Sequence, residues 1–215
     1  MRKIVAIDGP AGSGKGTVAK LLADKCNLLY IDTGAMYRAI AYKTLQNNLS
    51  LNEEDKIVEL AKNSKIEFID GKTYLDGIDI SKEIRTMEVT KIVSPISSIV
   101  KLREILVDLQ RKIAGCYDVI MEGRDITTVV FPNANYKFYL DADVEERARR
   151  RFEENKVKGI ESTFNEILEN IKKRDYNDMH KEVGSLTRTE DSIYIDSTNL
   201  TIEEVVEKIK NIIEV

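Results

Sequence analysis

The chain has 215 residues, of which 42% are hydrophobic and 33% are charged, and its formal net charge is −4. This balance is typical of a globular domain with a sizeable core, and the acidic total argues against a general nucleic-acid binder. No apolar run approaches the roughly 18 residues of a membrane span, so we expect no membrane partner. Residues 1–8 form a strand into a glycine-rich loop, which argues against a cleaved signal peptide. We expect Cys26 and Cys116 to be buried thiols of a cytoplasmic protein.

The first predicted strand, 4–7, leads into the loop Gly9–Thr17 and then into the helical stretch TVAKLLADK. Gly9, four intervening residues, Gly14 and Lys15 have the spacing of a phosphate-binding loop between a strand and a helix. Main-chain N–H groups and the helix N-terminus suit phosphate oxygens, and Lys15 suits the terminal phosphates. A purely structural glycine turn is the alternative. Because Gly16 stands where Ser or Thr usually binds magnesium, Thr17 is the candidate Mg²⁺ ligand.

Two further predicted strands, 28–31 and 118–121, end in polar stretches, DTGAMYR and EGRD respectively. Arg38 and Arg124 lie in these stretches, within a few residues of the strand ends, and we interpret both stretches as turns. A planar, doubly donating guanidinium in such a place suits a phosphate group.

Residues 65–81 alternate polar and apolar side chains, with Asp-Gly turns at 70–71 and 76–77. The alternation predicts a small antiparallel hairpin or three-stranded flap. Such a segment is too short to be stable alone. We therefore interpret 63–82 as a β insertion over the second substrate site, within a core domain made of 1–62 and 83–215.

After the fourth predicted strand, 136–140, the helical run VEERARRRFEE places Arg147 and Arg151 on one face. One interpretation is a solvated helix whose arginines pair with its own glutamates. The other is a mobile lid, about 152–163, that closes on a triphosphate and excludes water.

In the following helical run, Arg174, Asp178 and Lys181 recur at i, i+4 and i+7 on one face. The face is either solvated or borders the active cleft. The fifth predicted strand, 192–195, follows this run.

The alternation of strands and helices predicts an α/β fold. We expect a three-layer P-loop NTPase fold with a central parallel sheet of about five strands, a small antiparallel insertion and a short lid. Ligands of such sheets bind beyond the carboxyl ends of the strands, where the polar stretches above lie.

The chain resembles the bacterial cytidylate kinases over its whole length, with an adenylate-kinase-like fold. The stretches that carry the resemblance are IDGPAGSGKGT, IDTGAMYR, IRTMEV, EGRDITTVVFP, YLDADVEERARRR and KKRDYNDMH. The resemblance implies phosphoryl transfer from ATP to CMP or dCMP, assisted by Mg²⁺, in pyrimidine nucleotide metabolism. It implies small nucleotides as partners, rather than nucleic acid or a membrane, and we expect a monomer.

The resemblance also implies roles for individual residues. The implied ATP site comprises Gly9, Pro10, Ala11, Gly12, Ser13, Gly14, Lys15, Gly16, Thr17 and Arg147. The implied CMP site comprises Thr33, Arg38, Ser94, Arg103, Arg124, Asp125, Arg174 and Asp178. The implied catalytic groups are Lys15, Arg124, Arg151, Arg174 and Lys181.

Of the implied CMP site, Ser94, Arg103 and Asp125 would read the base. A carboxylate matches the exocyclic amino group of cytosine, and a guanidinium matches its acceptors at N3 and O2. Uracil would instead place a carbonyl against Asp125, so the site would reject it.

Three positions depart from the pattern of the family. Glu122 stands where Asp is usual, Thr127 where Gly is expected, and Lys181 where Arg is expected. A lysine keeps the charge but loses the bidentate geometry, so these departures bear on turnover more than on substrate identity.

Two alternatives stay open. One is another small-molecule kinase of the same fold, acting on UMP or AMP, and the other is a nucleotide-sensing module that has lost turnover. Convergence of Ser94, Arg103 and Asp125 on one base-sized pocket would argue against the first. Intact Lys15 and lid arginines argue against the second.

Overall fold

The computed structural model describes residues 2–69, 71–157 and 159–214. Within these ranges the strands are β1 (Ile4–Asp8), β2 (Leu29–Asp32), β3 (Ile66–Ile69), β4 (Lys72–Leu75), β5 (Ile78–Asp79), β6 (Val119–Gly123), β7 (Tyr136–Asp141) and β8 (Ile193–Asp196). The helices are α1 (Lys15–Cys26), α2 (Thr33–Gln46), α3 (Glu54–Lys62), α4 (Met87–Ile96), α5 (Val100–Cys116), α6 (Val144–Val157), α7 (Phe164–Met179) and α8 (Ile202–Ile213). No helix in the described ranges has the length and apolar character of a membrane span.

Five strands form one sheet in the order β2-β6-β1-β7-β8. β1 pairs in parallel with β6 and β7, and β7 pairs in parallel with β8. β1 and β6 are buried along almost their whole length, as parallel strands are when helices cover both faces of a sheet. The predicted α/β fold is confirmed, and each predicted strand matches an observed one to within about two residues at either end.

The chain divides into two compact units, one made of Lys3–Leu29 and Asp118–Val215, the other of Tyr30–Tyr117. In the first unit, α1 packs on β1, β6 and α8. Leu22 of α1 and Ile209 of α8 are fully buried in this core. A second apolar cluster joins α6 to α7, and its buried members are Ala148, Ile167 and Ile171.

Capping boxes fix where two helices of this unit begin. The Thr163 side chain accepts from the backbone N–H of Glu166, while the Glu166 carboxylate accepts from the backbone N–H of Thr163. Thr201 and Glu204 do the same at the start of α8. Each box satisfies two backbone donors that a helix start would otherwise leave unpaired.

In the second unit, α2 packs against α3, α4 and α5. β3, β4 and β5 form a separate antiparallel sheet, as the alternation in 65–81 predicts. Asp76 and Gly77, at φ 53° and 84°, make the turn between β4 and β5, which is the backbone of a type I′ hairpin. Asp70, in the other predicted turn, lies outside the described residues.

The cysteines differ from the expectation of buried thiols. Cys116 is exposed and Cys26 is only partly buried. Each is the last residue of its helix. The prediction of buried thiols was therefore wrong.

Candidate functional site

The loop between β1 and α1 has the backbone of a phosphate-binding loop. Gly14 occupies the N-cap of α1 at φ 85°, a left-handed conformation that favours glycine. A Cβ atom on Gly9 would lie 2.0 Å from the carbonyl oxygen of Leu140, so a larger residue cannot fit there. The N–H groups of the first helical turn have no acceptors within the helix and can therefore bind an anion.

Lys15 is buried inside this loop. Its Nζ donates to the carbonyl oxygen of Pro10 at 3.0 Å and lies 4.0 Å from Glu122 Oε2. Burial lowers the pKa of Lys15 to about 7, the charge of Arg124 adds to this effect, and the Glu122 carboxylate opposes it. A phosphate group would add negative charge beside this buried ammonium.

Asp178 holds three cations next to the loop. Arg124 Nε lies 2.7 Å from Asp178 Oδ2, Lys181 Nζ lies 3.1 Å from Oδ1, and Arg174 Nε lies 4.0 Å from Oδ2. Burial acts to raise the pKa of Asp178, but the charges of Arg124 and Lys181 outweigh it and hold that pKa below its usual value. The carboxylate therefore keeps several guanidinium and ammonium groups ordered at one place.

Lys181 reaches this cluster from outside α7, whereas the sequence analysis placed it on the same helix as Arg174. That placement was wrong, because α7 ends at Met179. The chain then folds back, and the N–H of Leu186 donates to the carbonyl oxygen of Asp178 at 2.7 Å. The cationic cluster consists of Lys15, Arg124, Arg174 and Lys181, with Glu122 and Asp178 as its carboxylates.

Arg147 is part of the wall behind the loop. It is buried, and its Nη1 donates to Asp175 Oδ2 at 2.6 Å and to the carbonyl oxygen of Ala11 at 3.0 Å. A Cβ atom on Gly12 would lie 3.2 Å from the Arg147 Cβ, so the helix and the loop are closely packed.

Arg151, one helical turn further along α6, lies in solvent. Its Nη1 pairs with Glu154 Oε2 at 3.0 Å, and more than half of its side chain is exposed. For Arg151, this pairing agrees with the interpretation of a solvated helix whose arginines pair with its own glutamates. Arg147 does not agree with it, because Arg147 is buried and pairs with Asp175. Within the predicted lid, 152–163, α6 continues as far as Val157. Lys158 lies outside the described residues. Closure of the lid stays a prediction.

Asp32 and Arg38 form an ion pair in the second unit. Arg38 Nη2 lies 2.6 Å from Asp32 Oδ2, and Arg85 Nη2 lies 3.9 Å from the same oxygen. The expectation that Arg38 lies in a turn was wrong. The Asp32 carboxylate accepts from the N–H of Ala35 at 2.8 Å and caps α2, so the helix begins directly after β2 and includes Arg38.

Ser94 and Arg103 lie on either side of the corner between α4 and α5. Ser97 Oγ donates to the carbonyl oxygen of Ser94 at 2.9 Å, and Arg103 Nη1 donates to the carbonyl oxygen of Ser97 at 3.0 Å. The guanidinium of Arg103 lies over the ring of Tyr37, 5.4 Å from its centroid. Thr33, the first residue of α2, is buried.

Asp125 is buried and belongs to the first unit, where it follows Arg124 beyond the end of β6. Its convergence with Ser94 and Arg103 on one base therefore stays a prediction.

Arg150 has a place at the loop that the sequence analysis did not assign. Its Nη2 donates to the carbonyl oxygen of Ser197 at 2.6 Å, and a Cβ atom on Gly14 would lie 3.9 Å from its Nη1. The only sequence signal for this placement was that Arg150 belongs to an arginine-rich run. That signal does not single out Arg150, because most arginines of the run are solvated or paired with glutamates.

Two oxygen-bearing side chains near the loop suit a magnesium ion. Thr17 is exposed in the first turn of α1, and the Glu122 carboxylate lies beside Lys15. Mg²⁺ prefers oxygen ligands, keeps several waters, and is usually bound through one or two carboxylates together with substrate phosphates. Thr17 and Glu122 therefore fit an ion that arrives with a nucleotide. In the described ranges, no three His, Cys, Asp or Glu side chains group as a metal site of their own.

Solved structures share the fold at low sequence identity. An uncharacterized protein from Eubacterium ventriosum superposes with a TM-score of 0.58 at 15% identity, covering 99% of both chains. Shikimate kinase from Bacteroides thetaiotaomicron superposes with a TM-score of 0.51 at 14% identity, also covering 99% of both chains.

Other relatives share a much higher sequence identity with this chain. The cytidylate kinase of Alkaliphilus oremlandii is 52% identical over 210 residues, which cover 98% of this chain and 97% of that protein. The cytidylate kinase of Caldanaerobacter subterraneus subsp. tengcongensis is 54% identical over 205 residues, which cover 95% and 92%. A model of the cytidylate kinase family matches residues 5–215. The chain therefore belongs to the cytidylate kinase family.

Proposed function

We propose that this protein transfers a phosphoryl group from ATP to CMP or dCMP, forming ADP and CDP or dCDP. The observation that carries the proposal is the buried Lys15 in a phosphate-binding loop, with the cations around Asp178 in the same unit. Family membership over nearly the whole chain supports the same reaction.

The phosphoryl donor side uses the loop and its lysine. Loop N–H groups and the α1 N-terminus would bind the ATP phosphates, and Lys15 would neutralise charge on the transferring group. Arg147, held by Asp175 and the carbonyl oxygen of Ala11, would cover the adenine. Mg²⁺, held by Thr17 and Glu122 through oxygen or water, would supply further charge neutralisation when bound.

The acceptor side needs positioning rather than a general base. The second pKa of a phosphate monoester is about 6, so the attacking phosphate of CMP is largely dianionic near neutral pH. Arg38 and Arg124 would hold that phosphate, and Arg174 would bind the pyrimidine nucleotide. Transfer then depends on alignment and on the charges arranged by Asp178.

Selection of cytosine would rest on Ser94, Arg103 and Asp125, with Thr33 and Asp178 holding the rest of the nucleotide. The small sheet β3–β5, within the predicted insertion 63–82, would lie over this acceptor site. Closure of the lid, with Arg151 moving from Glu154 to the triphosphate, would exclude water from the reaction.

We further propose a cytoplasmic monomer that acts in pyrimidine nucleotide metabolism. Membership of the cytidylate kinase family and the expectation of small nucleotide partners support this proposal.

A coupled assay with ATP and Mg²⁺ across CMP, dCMP, UMP and AMP tests the proposed function. We expect CMP and dCMP to be the preferred acceptors. Lys15→Ala should lower kcat by on the order of 100-fold or more, because it removes a cation from a water-excluded site. Preference for UMP or AMP would favour another kinase of the same fold, and ATP binding without transfer would favour a sensing module.

A further inference from the structure

Asp8 links the phosphate-binding loop to the turn after β6. It ends β1, directly before Gly9, and its side chain is fully buried. Its Oδ1 accepts from the N–H of Ile126 at 2.9 Å, and its Oδ2 accepts from the N–H of Thr127 at 2.8 Å. Ile126 follows the turn that carries Arg124 and Asp125, so Asp8 holds one end of that turn.

Thr127 adds a third hydrogen bond that a glycine could not make. Its Oγ1 donates to Asp8 Oδ2 at 2.7 Å, inside the buried part of the unit. Burial raises the pKa of Asp8 above its usual value, and the donors from Thr127 and Ile126 act in the opposite direction. The hydroxyl therefore favours the ionised carboxylate that accepts from both backbone N–H groups.

The neighbouring Thr128 provides a contrast. Its Oγ1 is also buried, but it has no hydrogen-bond partner among the described residues. The two adjacent threonines therefore differ in whether the hydroxyl contacts Asp8.

We propose that Thr127 is a positioning residue for the acceptor nucleotide, because its hydroxyl and Asp8 together fix the turn that carries Arg124 and Asp125. This inference rests on the proposed function, in which those two residues bind CMP. Loss of the hydroxyl leaves both backbone bonds to Asp8 in place, so the turn becomes less fixed without being removed. Since small misplacements of substrate-binding groups are costly in enzymes, the effect should fall on CMP more than on ATP.

The test compares Thr127→Val, Thr127→Ser and Thr128→Val by steady-state kinetics with each substrate varied in turn. We expect Thr127→Val to raise the KM for CMP by about fivefold or more, with the KM for ATP within about twofold. Thr127→Ser keeps the hydroxyl and should restore the wild-type constants, and Thr128→Val should match the wild type. If Thr127→Val does not fold, Thr127→Ala carries the same expectation.

Amide hydrogen exchange gives a second readout that does not depend on turnover. The Ile126 amide should exchange faster in Thr127→Val than in Thr128→Val. The inference is overturned if the two valine variants agree in kinetics and exchange, or if the KM values for ATP and CMP rise equally. A wild-type protein that transfers nothing to CMP would instead refute the proposed function, and exchange at Ile126 would still decide whether Thr127 fixes the turn.

Discussion

At the scale of single residues, Asp178 has a double effect on its neighbours. The carboxylate attracts Arg124, Arg174 and Lys181 and so holds them in place before any phosphate is bound. A site whose charges are already arranged loses little energy to reorganisation during the reaction. The same carboxylate offsets part of the positive charge that a bound phosphate would meet. The contribution of each cation to phosphate binding therefore depends on its geometry as well as on its charge.

Lys181 should act mainly on turnover. Its Nζ lies 3.1 Å from Asp178 Oδ1, and most of its side chain is buried. Lys181→Ala should lower kcat by about 10-fold or more with little change in the KM for CMP, because contacts made in the transition state act on kcat. Lys181→Arg keeps the charge and adds bidentate geometry, so it should preserve or raise kcat. Steady-state kinetics at saturating ATP measures both variants.

Lys172→Ala is the matched control for this prediction. Lys172 lies in the middle of α7, is half exposed and pairs with Glu169 at 3.0 Å. An exposed pair of this kind has little energetic weight, so kcat should stay within about twofold. A Lys181→Ala variant as silent as Lys172→Ala would show that Lys181 has no part in transfer.

Asp125 should govern the choice between cytosine and uracil. Asp125→Asn replaces an acceptor by a group that can also donate to a uracil carbonyl. A hydrogen bond to a charged group contributes roughly 1.5–3 kcal/mol, so the CMP-to-UMP ratio of kcat/KM should fall by about 10-fold or more. Asp55→Asn, at a side chain that is 92% exposed, is the control. If both variants keep the wild-type ratio, the base is read by other residues.

At the scale of elements, helices α6 and α7 are joined by polar as well as apolar contacts. Arg147 on α6 and Asp175 on α7 form a buried ion pair at 2.6 Å, beside the apolar cluster of Ala148, Ile167 and Ile171. Because Arg147 also donates to Ala11, the helix pair is attached to the phosphate-binding loop.

Arg147→Met should destabilise the protein strongly. Removing one partner of a buried pair leaves the other charge without compensation, which costs about 3–5 kcal/mol. Arg151→Ala, one helical turn away, breaks an exposed pair and should cost at most about 1 kcal/mol. Urea unfolding of both variants measures the difference. Equal and small losses would mean that the Asp175 carboxylate finds another partner or water.

The elements show what local sequence patterns can and cannot predict. Short β-branched runs bounded by turn residues predict all five parallel strands, because a strand that is to be buried must itself be made mostly of apolar residues. The end of α7 was missed, because the helical periodicity continues to Lys181 while the return of the chain to Asp178 is a tertiary contact. The start of α2 was missed because Asp32 was not recognised as an N-cap.

At the scale of the whole molecule, the family and the fold could be predicted from the sequence. The family comparison confirms the first, and the sheet topology confirms the second. The phosphate-binding loop could be predicted because Gly9, Gly14 and Lys15 have the fixed spacing of a local motif. Side-chain partners were not readable, since they depend on residues far apart in the chain. The bond between Asp8 and Thr127 spans more than one hundred positions, and the exposure of Cys116 depends on how α5 packs.

The buried lysine also affects the stability of the whole protein. The folded state lowers the pKa of Lys15 to about 7 from 10.5, so between these values the unfolded chain binds the proton and the folded chain does not. The contribution of this group to stability therefore rises with pH across that window, and the penalty for burying the ammonium is complete below about pH 7. A neutral side chain of similar length avoids the penalty at every pH.

We therefore expect Lys15→Met to be more stable than the wild type near neutral pH, although it is inactive. One pKa unit corresponds to about 1.4 kcal/mol, so the gain should be roughly 2–4 kcal/mol at about pH 6 and should vanish toward about pH 10. Urea unfolding of both proteins across this range measures the difference, and titrating groups that do not interact with Lys15 cancel to first order. Parallel stability curves for the two proteins would show that the ammonium is not destabilised by burial, and would remove the reason for expecting it to bind phosphate so strongly.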